Sequence, residues 1–197
     1  MARYDPAHKE STRRRILETA GRLFKHDGID GTGIAALMAD AGMTNGAFYA
    51  HFRSKEELVA AVIAEELRVQ ATAFTSLPPG IAGIEQLLRT YLSVSHRDHR
   101  EAGCPSAALL DEIARCGDST RGAYSDGANV LVQQIASRLA PEDPAAAHGR
   151  ALSVLALMAG SLQLSRAISD PRLSAEVLEH GVANALALAC LDASGAD

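Results

Sequence analysis

The sequence predicts an all-α protein of about nine helices, with an N-terminal helix-turn-helix headpiece and a C-terminal helical domain. Three observations carry this. The 197 residues are 47% hydrophobic but only 4% aromatic with no Trp, so the core must be Ala, Leu, Ile and Val. Ala and Leu favour helices, and Ala is depleted from strands. Apolar residues recur at three- and four-residue spacings along most of the chain, and no stretch sustains the alternation of a half-buried strand.

Ile16, Leu17, Ala20, Leu23 and Phe24 form one face of an amphipathic helix, with Gly28 just past its end. Ile34, Leu37, Met38 and Ala41 mark a short helix closed by Gly42. Thr44 is placed to cap another, through about Tyr49 or Ala50. Ser54-Lys-Glu-Glu57 reads as a capping box that opens a longer helix to about Phe74, carrying Leu58, Val59, Val62, Ile63 and Leu67. Pro78-Pro79-Gly80 is the clear boundary. Ile84 to Leu92 marks the next helix, and a polar turn leads to Pro105 at the first position of a helix to about Arg115. Ser119–Leu139 follows, weakened by Gly122 and Gly127; then a long helix from Asp143-Pro144 to about Ile168; then a last one, capped by Ser174 and ending near Leu191.

Charge is distributed unevenly. Residues 1–55 hold nine Lys/Arg against six Asp/Glu, a net of +3, whereas residues 56–197 net −8 within a total of −5. A basic first quarter on an acidic body suggests that one end meets an anion. The uncharged stretch Ala151–Ser165 is 15 residues, short of the roughly 20 that span a bilayer. The N-terminus lacks the apolar run of a secretory signal, and three cysteines make no disulfide framework. A cytoplasmic protein without a membrane partner is expected.

Residues 32–52 hold two helices too short to bury a core alone, joined by a tight Gly42-Met43 turn. That is helix-turn-helix geometry, in which the second helix enters the major groove. Thr44 and Asn45 can bond phosphates or base edges, Gly46 and Ala47 let the backbone come close, and Tyr49, His51 and Lys55 are suited to phosphates. Gly31-x-Gly33-x-x-Ala36 nominally matches a dinucleotide fingerprint, but a helix precedes it where that motif needs a strand.

Residues 14–58 closely resemble the N-terminal domain of the TetR family of bacterial transcriptional regulators. The matching pieces are Ile16, Leu17, Ala20, Leu23, Phe24 and Gly28, then Ala41 to Thr44, Gly46, Phe48 to Phe52, and Ser54 to Leu58. The resemblance implies a homodimeric all-α regulator, usually a repressor, which binds double-stranded operator DNA through residues 1–55. Residues 56–197 would hold the dimerisation surface and bind a small-molecule effector. It implies neither enzymatic activity nor a cofactor. Gly33 and Met38 stand where the family often has Ser or Thr, and Ala; Thr32 is placed to replace the hydroxyl missing at residue 33.

Phe74, Leu88, Tyr91, Leu109, Tyr124 and Val132 are candidate effector-pocket residues or plain core. The apolar excess of the last two helices, including Leu162 and Leu186, with Gly160, Ser161, Gly181 and Ala185 for close packing, fits either full burial or a dimer interface. His96, Asp98, His99 and Cys104 leave open a rival reading, a helical metal sensor or metal-dependent hydrolase using His96 and His99. The segment Gly103–Arg115 resembles one in a subset of TetR-family regulators, some of which sense electrophiles or oxidants through cysteine. Cys104, at a helix N-terminus near Arg97 and Arg100, is a candidate sensor or an inert packing residue. Cys116, roughly 18 Å along a continuous helix, is out of its reach.

Overall fold

The structure, a computed structural model, describes residues 6–191. Among them are eleven α-helices and no strand: α1 Pro6–Asp27, α2 Ile34–Asp40, α3 Asn45–Phe48, α4 Lys55–Thr75, α5 Gly80–Tyr91, α6 Val94–Asp98, α7 Pro105–Ala108, α8 Leu110–Arg115, α9 Asp118–Leu139, α10 His148–Ala167 and α11 Pro171–Ala189. Short 3-10 turns cover Arg100–Ala102 and Pro144–Ala147. The predicted class holds; the count of nine does not.

Both extra helices have tertiary causes. The polar turn after α5 is helical because Ser93 accepts from the His96 amide at 3.1 Å, while the Arg166 side chain of α10 donates to the His96 and Arg97 carbonyls at 2.7 and 3.1 Å. The predicted helix Pro105–Arg115 breaks at Leu109 (φ −129°, ψ 3°). There the Ser106 carbonyl is taken by Gln163 at 3.1 Å and the Ala107 carbonyl by Arg166 at 2.8 Å. Carbonyls held by side chains of another helix are drawn out of the i→i−4 ladder.

Caps differ from expectation as well. Ser54 accepts from the Glu57 amide at 3.1 Å, but Glu57 reaches back to the amide of Arg53 (2.8 Å) instead of Ser54. Thr44 occupies the N-cap of α3 without a side-chain cap bond. The cap of α11 is Asp170, not Ser174. Ser174 is buried in the first turn, where its hydroxyl lies 2.8 Å from that of Ser165 and joins α11 to α10.

One continuous apolar core runs from the headpiece into the body. Ile16, Ala20 and Phe24 of α1 meet Leu37, Met38, Phe48 and Phe52, and α4 carries the core onward through Val62, Ile63 and Leu67. Together with the 3-10 turn before it, α10 makes a helical stretch, 144–167, long and apolar enough by composition to cross a membrane. Its Ala151, Val154, Met158 and Leu162 are instead central to the bundle.

The two glycines of α9 have different meanings. Gly127 faces α4 so closely that an added Cβ would lie 2.5–2.7 Å from Leu67 side-chain atoms, whereas at Gly122 it would meet nothing within 4 Å. Gly127→Ala is expected to lower stability by about 1–2 kcal/mol, overpacking outweighing the gain in helix propensity. Gly122→Ala should raise it by about 0.5–1 kcal/mol. Urea unfolding of both variants checks the pair; equal signs would show that α4 and α9 do not approach at Gly127.

Candidate nucleic-acid interface and ligand cavity

The turn between α2 and α3 is set by Gly42, whose φ of +67° is left-handed. Its amide bonds the Ala39 carbonyl at 2.9 Å and the next amide, Met43, bonds Met38 at 2.8 Å, the paired pattern of a Schellman cap. This turn delivers α3 with one face inward. Phe48 and Phe52 are fully buried with ring centroids 5.8 Å apart, and the opposite face shows Thr44, Asn45 and Gly46 to solvent. A Cβ at Gly46 would meet nothing within 4 Å, so the glycine serves no contact inside the protein. Tyr49 is 65% exposed, its ring edge-on to Phe48 at 5.1 Å.

Cations of α1 lie close to the residues that follow α3. Arg13 stands 5.0 Å over the Phe52 ring. Burial, with help from Lys9 and Arg13, lowers the pKa of His51, whose buried Nδ1 lacks a hydrogen-bond partner. Lys55 is half-buried and lines a small cleft of about 270 Å³ beside Asp30 and Glu56. Thr32 corrects the sequence reading. It is only 5% exposed and its hydroxyl donates to the Gly28 carbonyl at 2.8 Å, so it cannot supply the hydroxyl missing at residue 33.

The candidate pocket residues do not form one pocket. Phe74, Tyr91 and Cys104 line a cavity of about 640 Å³ bounded by α4, α5 and the segment from α6 to Pro105. Leu88 is fully buried behind it, Leu109 lines a separate cleft facing the headpiece, and Tyr124 with Val132 lines an apolar groove against α10. Glu66, Gln70 and Leu87 also line the cavity and escaped the sequence reading. Glu66 and Gln70 share an exposed-looking polar pattern with the rest of α4, so no periodicity singles them out.

Polar groups at the cavity are specifically arranged. Both ring nitrogens of His96 are engaged: Nδ1 with the Tyr91 carbonyl at 2.7 Å and Nε2 accepting from the Cys104 amide at 3.1 Å. Burial lowers its pKa. Burial, reinforced by the neighbouring Cys104, raises that of Tyr91 well above the ordinary value. The Cys104 thiol donates to Gln70 Oε1 at 3.0 Å. Lys25 of α1, 5% exposed, reaches the cavity wall, with Nζ 2.6 Å from Glu66 and 3.0 Å from the Gly103 carbonyl.

His96 and His99 are not arranged as a ligand pair. His96 has no free nitrogen, His99 Nδ1 is turned to the Ser95 carbonyl at 2.9 Å, and among the described residues no cluster of three His, Cys, Asp or Glu could hold an ion. The cations and helix expected to act on Cys104 are not arranged to do so. Arg97 is paired with Asp98 at 2.7 Å, Arg100 is exposed, and α7 is four residues long. Because the helix breaks at Leu109, Cys116 is not at the far end of a continuous helix; it lines a different cleft.

Comparison with known proteins places the headpiece. Residues 16–62 match the profile of "Bacterial regulatory proteins, tetR family". This segment is a tetR-family domain. An HTH-type transcriptional regulator of Shigella flexneri, AcrR, is 40% identical over 58 residues, 29% of this chain and 27% of that protein. That match and others like it span between 27% and 44% of the relatives' length. Beyond the tetR-family segment the likeness is one of fold. The crystal structure of reduced E. coli NemR superposes with a TM-score of 0.76 at 22% identity, covering 89% of this chain and 95% of that one. A TetR transcriptional regulator from Chloroflexus aurantiacus gives 0.73 at 24% identity, covering 92% and 95%.

Proposed function

We propose that the protein is a sequence-specific DNA-binding transcriptional regulator, a cytoplasmic repressor that acts as a homodimer on a palindromic operator and is released by a small molecule. The observation that carries this reading is α3, which presents Thr44, Asn45 and Gly46 outward on a Phe48–Phe52 foundation within the tetR-family segment. Residues 1–55 are the DNA-binding part and residues 56–197 the effector and dimerisation part. Helix α4 carries the single core across this boundary, so the division is functional and not a gap in packing. No catalytic step is assigned to the chain.

Two headpieces must reach successive major grooves about 34–36 Å apart. Occupation of the cavity beside α4 would favour a different tilt of that helix, and with it a different headpiece spacing. The buried, hydrogen-bonded Cys104 thiol supports a packing role on the cavity wall.

The dimer surface is assigned to α10 and α11. Leu164 is 54% exposed, Leu173 is exposed, and Leu157, Val182 and Leu186 are half-buried. Gly160 lies open on this face. Gly181 and Ala185 serve a different contact: they are buried within the protomer, Gly181 tightly against Ser161 of α10.

Retention of genomic fragments by the purified protein, followed by titration with salt, tests the reading; no salt-dependent duplex binding would end it. Tyr49→Phe and Lys55→Ala should weaken binding to all sequences alike, because phosphate contacts carry no base information. Asn45→Ala should alter preference at one position of each half-site by about 1–3 kcal/mol.

A further inference from the structure

We infer that the cavity between α4 and α5 takes an uncharged small molecule whose hydrogen-bond-accepting oxygen meets the Tyr91 hydroxyl. This rests on the ligand-released reading above and adds the chemical class of the ligand.

The inference starts from an unmet donor. Tyr91 lines the cavity and is buried, yet its Oη has no oxygen or nitrogen partner, only the Cys104 sulfur beside it. The neighbouring Cys104 sulfur is a weak acceptor, and its own hydrogen is directed to Gln70. Because Tyr91 keeps its proton across the physiological range, Oη presents an O–H. A buried donor without a partner lacks compensation for its lost hydration, and a ligand oxygen would supply it. Gln70, whose Oε1 accepts the Cys104 thiol, has its carboxamide NH2 left as a second donor.

Charge on the ligand is disfavoured from both directions. Glu66 is the single carboxylate on the lining and is already neutralised by Lys25 at 2.6 Å. An ammonium drawn to Glu66 would strand the buried Lys25, and a carboxylate would meet Glu66 with Lys25 already engaged, leaving only the exposed His99, whose Nδ1 is turned to the Ser95 carbonyl, as a further basic group besides His96. His96 offers no charge, both of its nitrogens being engaged and its pKa lowered. The rest of the wall combines apolar Val69, Phe74, Leu77 and Leu87 with the neutral polar side chains of Gln86, Thr90, Ser93 and Ser95.

A matched set of probes separates the classes: acetylnaphthalene (a ketone), isopropenylnaphthalene (the same shape without an acceptor), naphthoate, and the ammonium form of naphthylethylamine. Calorimetric titration of the full chain is expected to show the ketone binding wild type at least about tenfold more tightly than either charged probe. Tyr91→Phe should weaken the ketone by about fivefold to tenfold and leave the hydrocarbon unchanged. The substitution deletes an unpartnered hydroxyl, so the urea midpoint serves as the control for folding. Tighter binding of naphthoate or the ammonium, equal ketone affinity in Tyr91→Phe, or no ketone binding at its solubility limit would overturn the inference. Retention of DNA fragments is measured separately: ketone binding to a protein that holds no DNA would sink the regulator reading and leave the ligand class standing.

Discussion

Removing the Glu66 carboxylate is expected to destabilise the protein by about 2–4 kcal/mol. Glu66→Leu would leave the Lys25 ammonium, 5% exposed, with a single carbonyl, Gly103, as its partner. Breaking a buried pair by removing one ion costs about 3–5 kcal/mol; Glu66 retains 24% side-chain exposure, and water reaching it reduces that figure. The companion Lys25→Met keeps the apolar stem. In the double variant no uncompensated charge remains, and most of the lost stability should return. Urea unfolding of the four proteins of this cycle measures the coupling. Strictly additive losses would mean that Lys25 and Glu66 do not form the joint.

The position of this joint gives the cycle a second meaning. Lys25 with Glu66, Lys25 with Gly103, and the Ile29 amide with Glu112 at 2.6 Å all tie the last turn of α1 and the residues just beyond it to the body. Glu66 and Gly103 also line the ligand cavity. Two of the three contacts that anchor this end of α1 are therefore made to residues on the cavity wall.

The second large effect separates two leucines on one helix. Leu162 is fully buried inside the protomer, so Leu162→Arg puts a guanidinium in the core and is expected to cost more than about 4 kcal/mol, much of a total stability of roughly 5–15 kcal/mol. It reports on folding and not on assembly, which selects full burial from the two sequence readings of Leu162. Leu164→Arg, at a side chain 54% exposed, should leave the protomer within about 0.5 kcal/mol of wild type and split the proposed dimer. Circular dichroism and sedimentation velocity distinguish the outcomes. Folded Leu164→Arg protein that still sediments as a dimer would move the interface away from this face.

What the sequence determined by itself is what short-range physics encodes. Helical periodicity located α4, α5 and α9 to within a few residues, and the end of α1 but not its first ten residues, Pro6 to Arg15. The left-handed requirement at Gly42 and the motif from Ala41 to Phe52 marked the outward-facing α3. What only the tertiary structure decided depends on groups far apart in the chain. Arg166 and Gln163 draw the Ser106 and Ala107 carbonyls out of a helix that the local pattern would have continued. Lys25 reads as one more charge on a basic helix until Glu66 and Gly103 close around it, from 41 and 78 residues away. Thr32 reads as an available hydroxyl until the fold buries it against the Gly28 carbonyl. Leu162 and Leu164 are indistinguishable by composition, and two residues of helix rotation place one in the core and the other on the open face. Periodicity fixes which residues can share a face; which face is covered, and by which donor or charge, depends on packing partners that no local window contains.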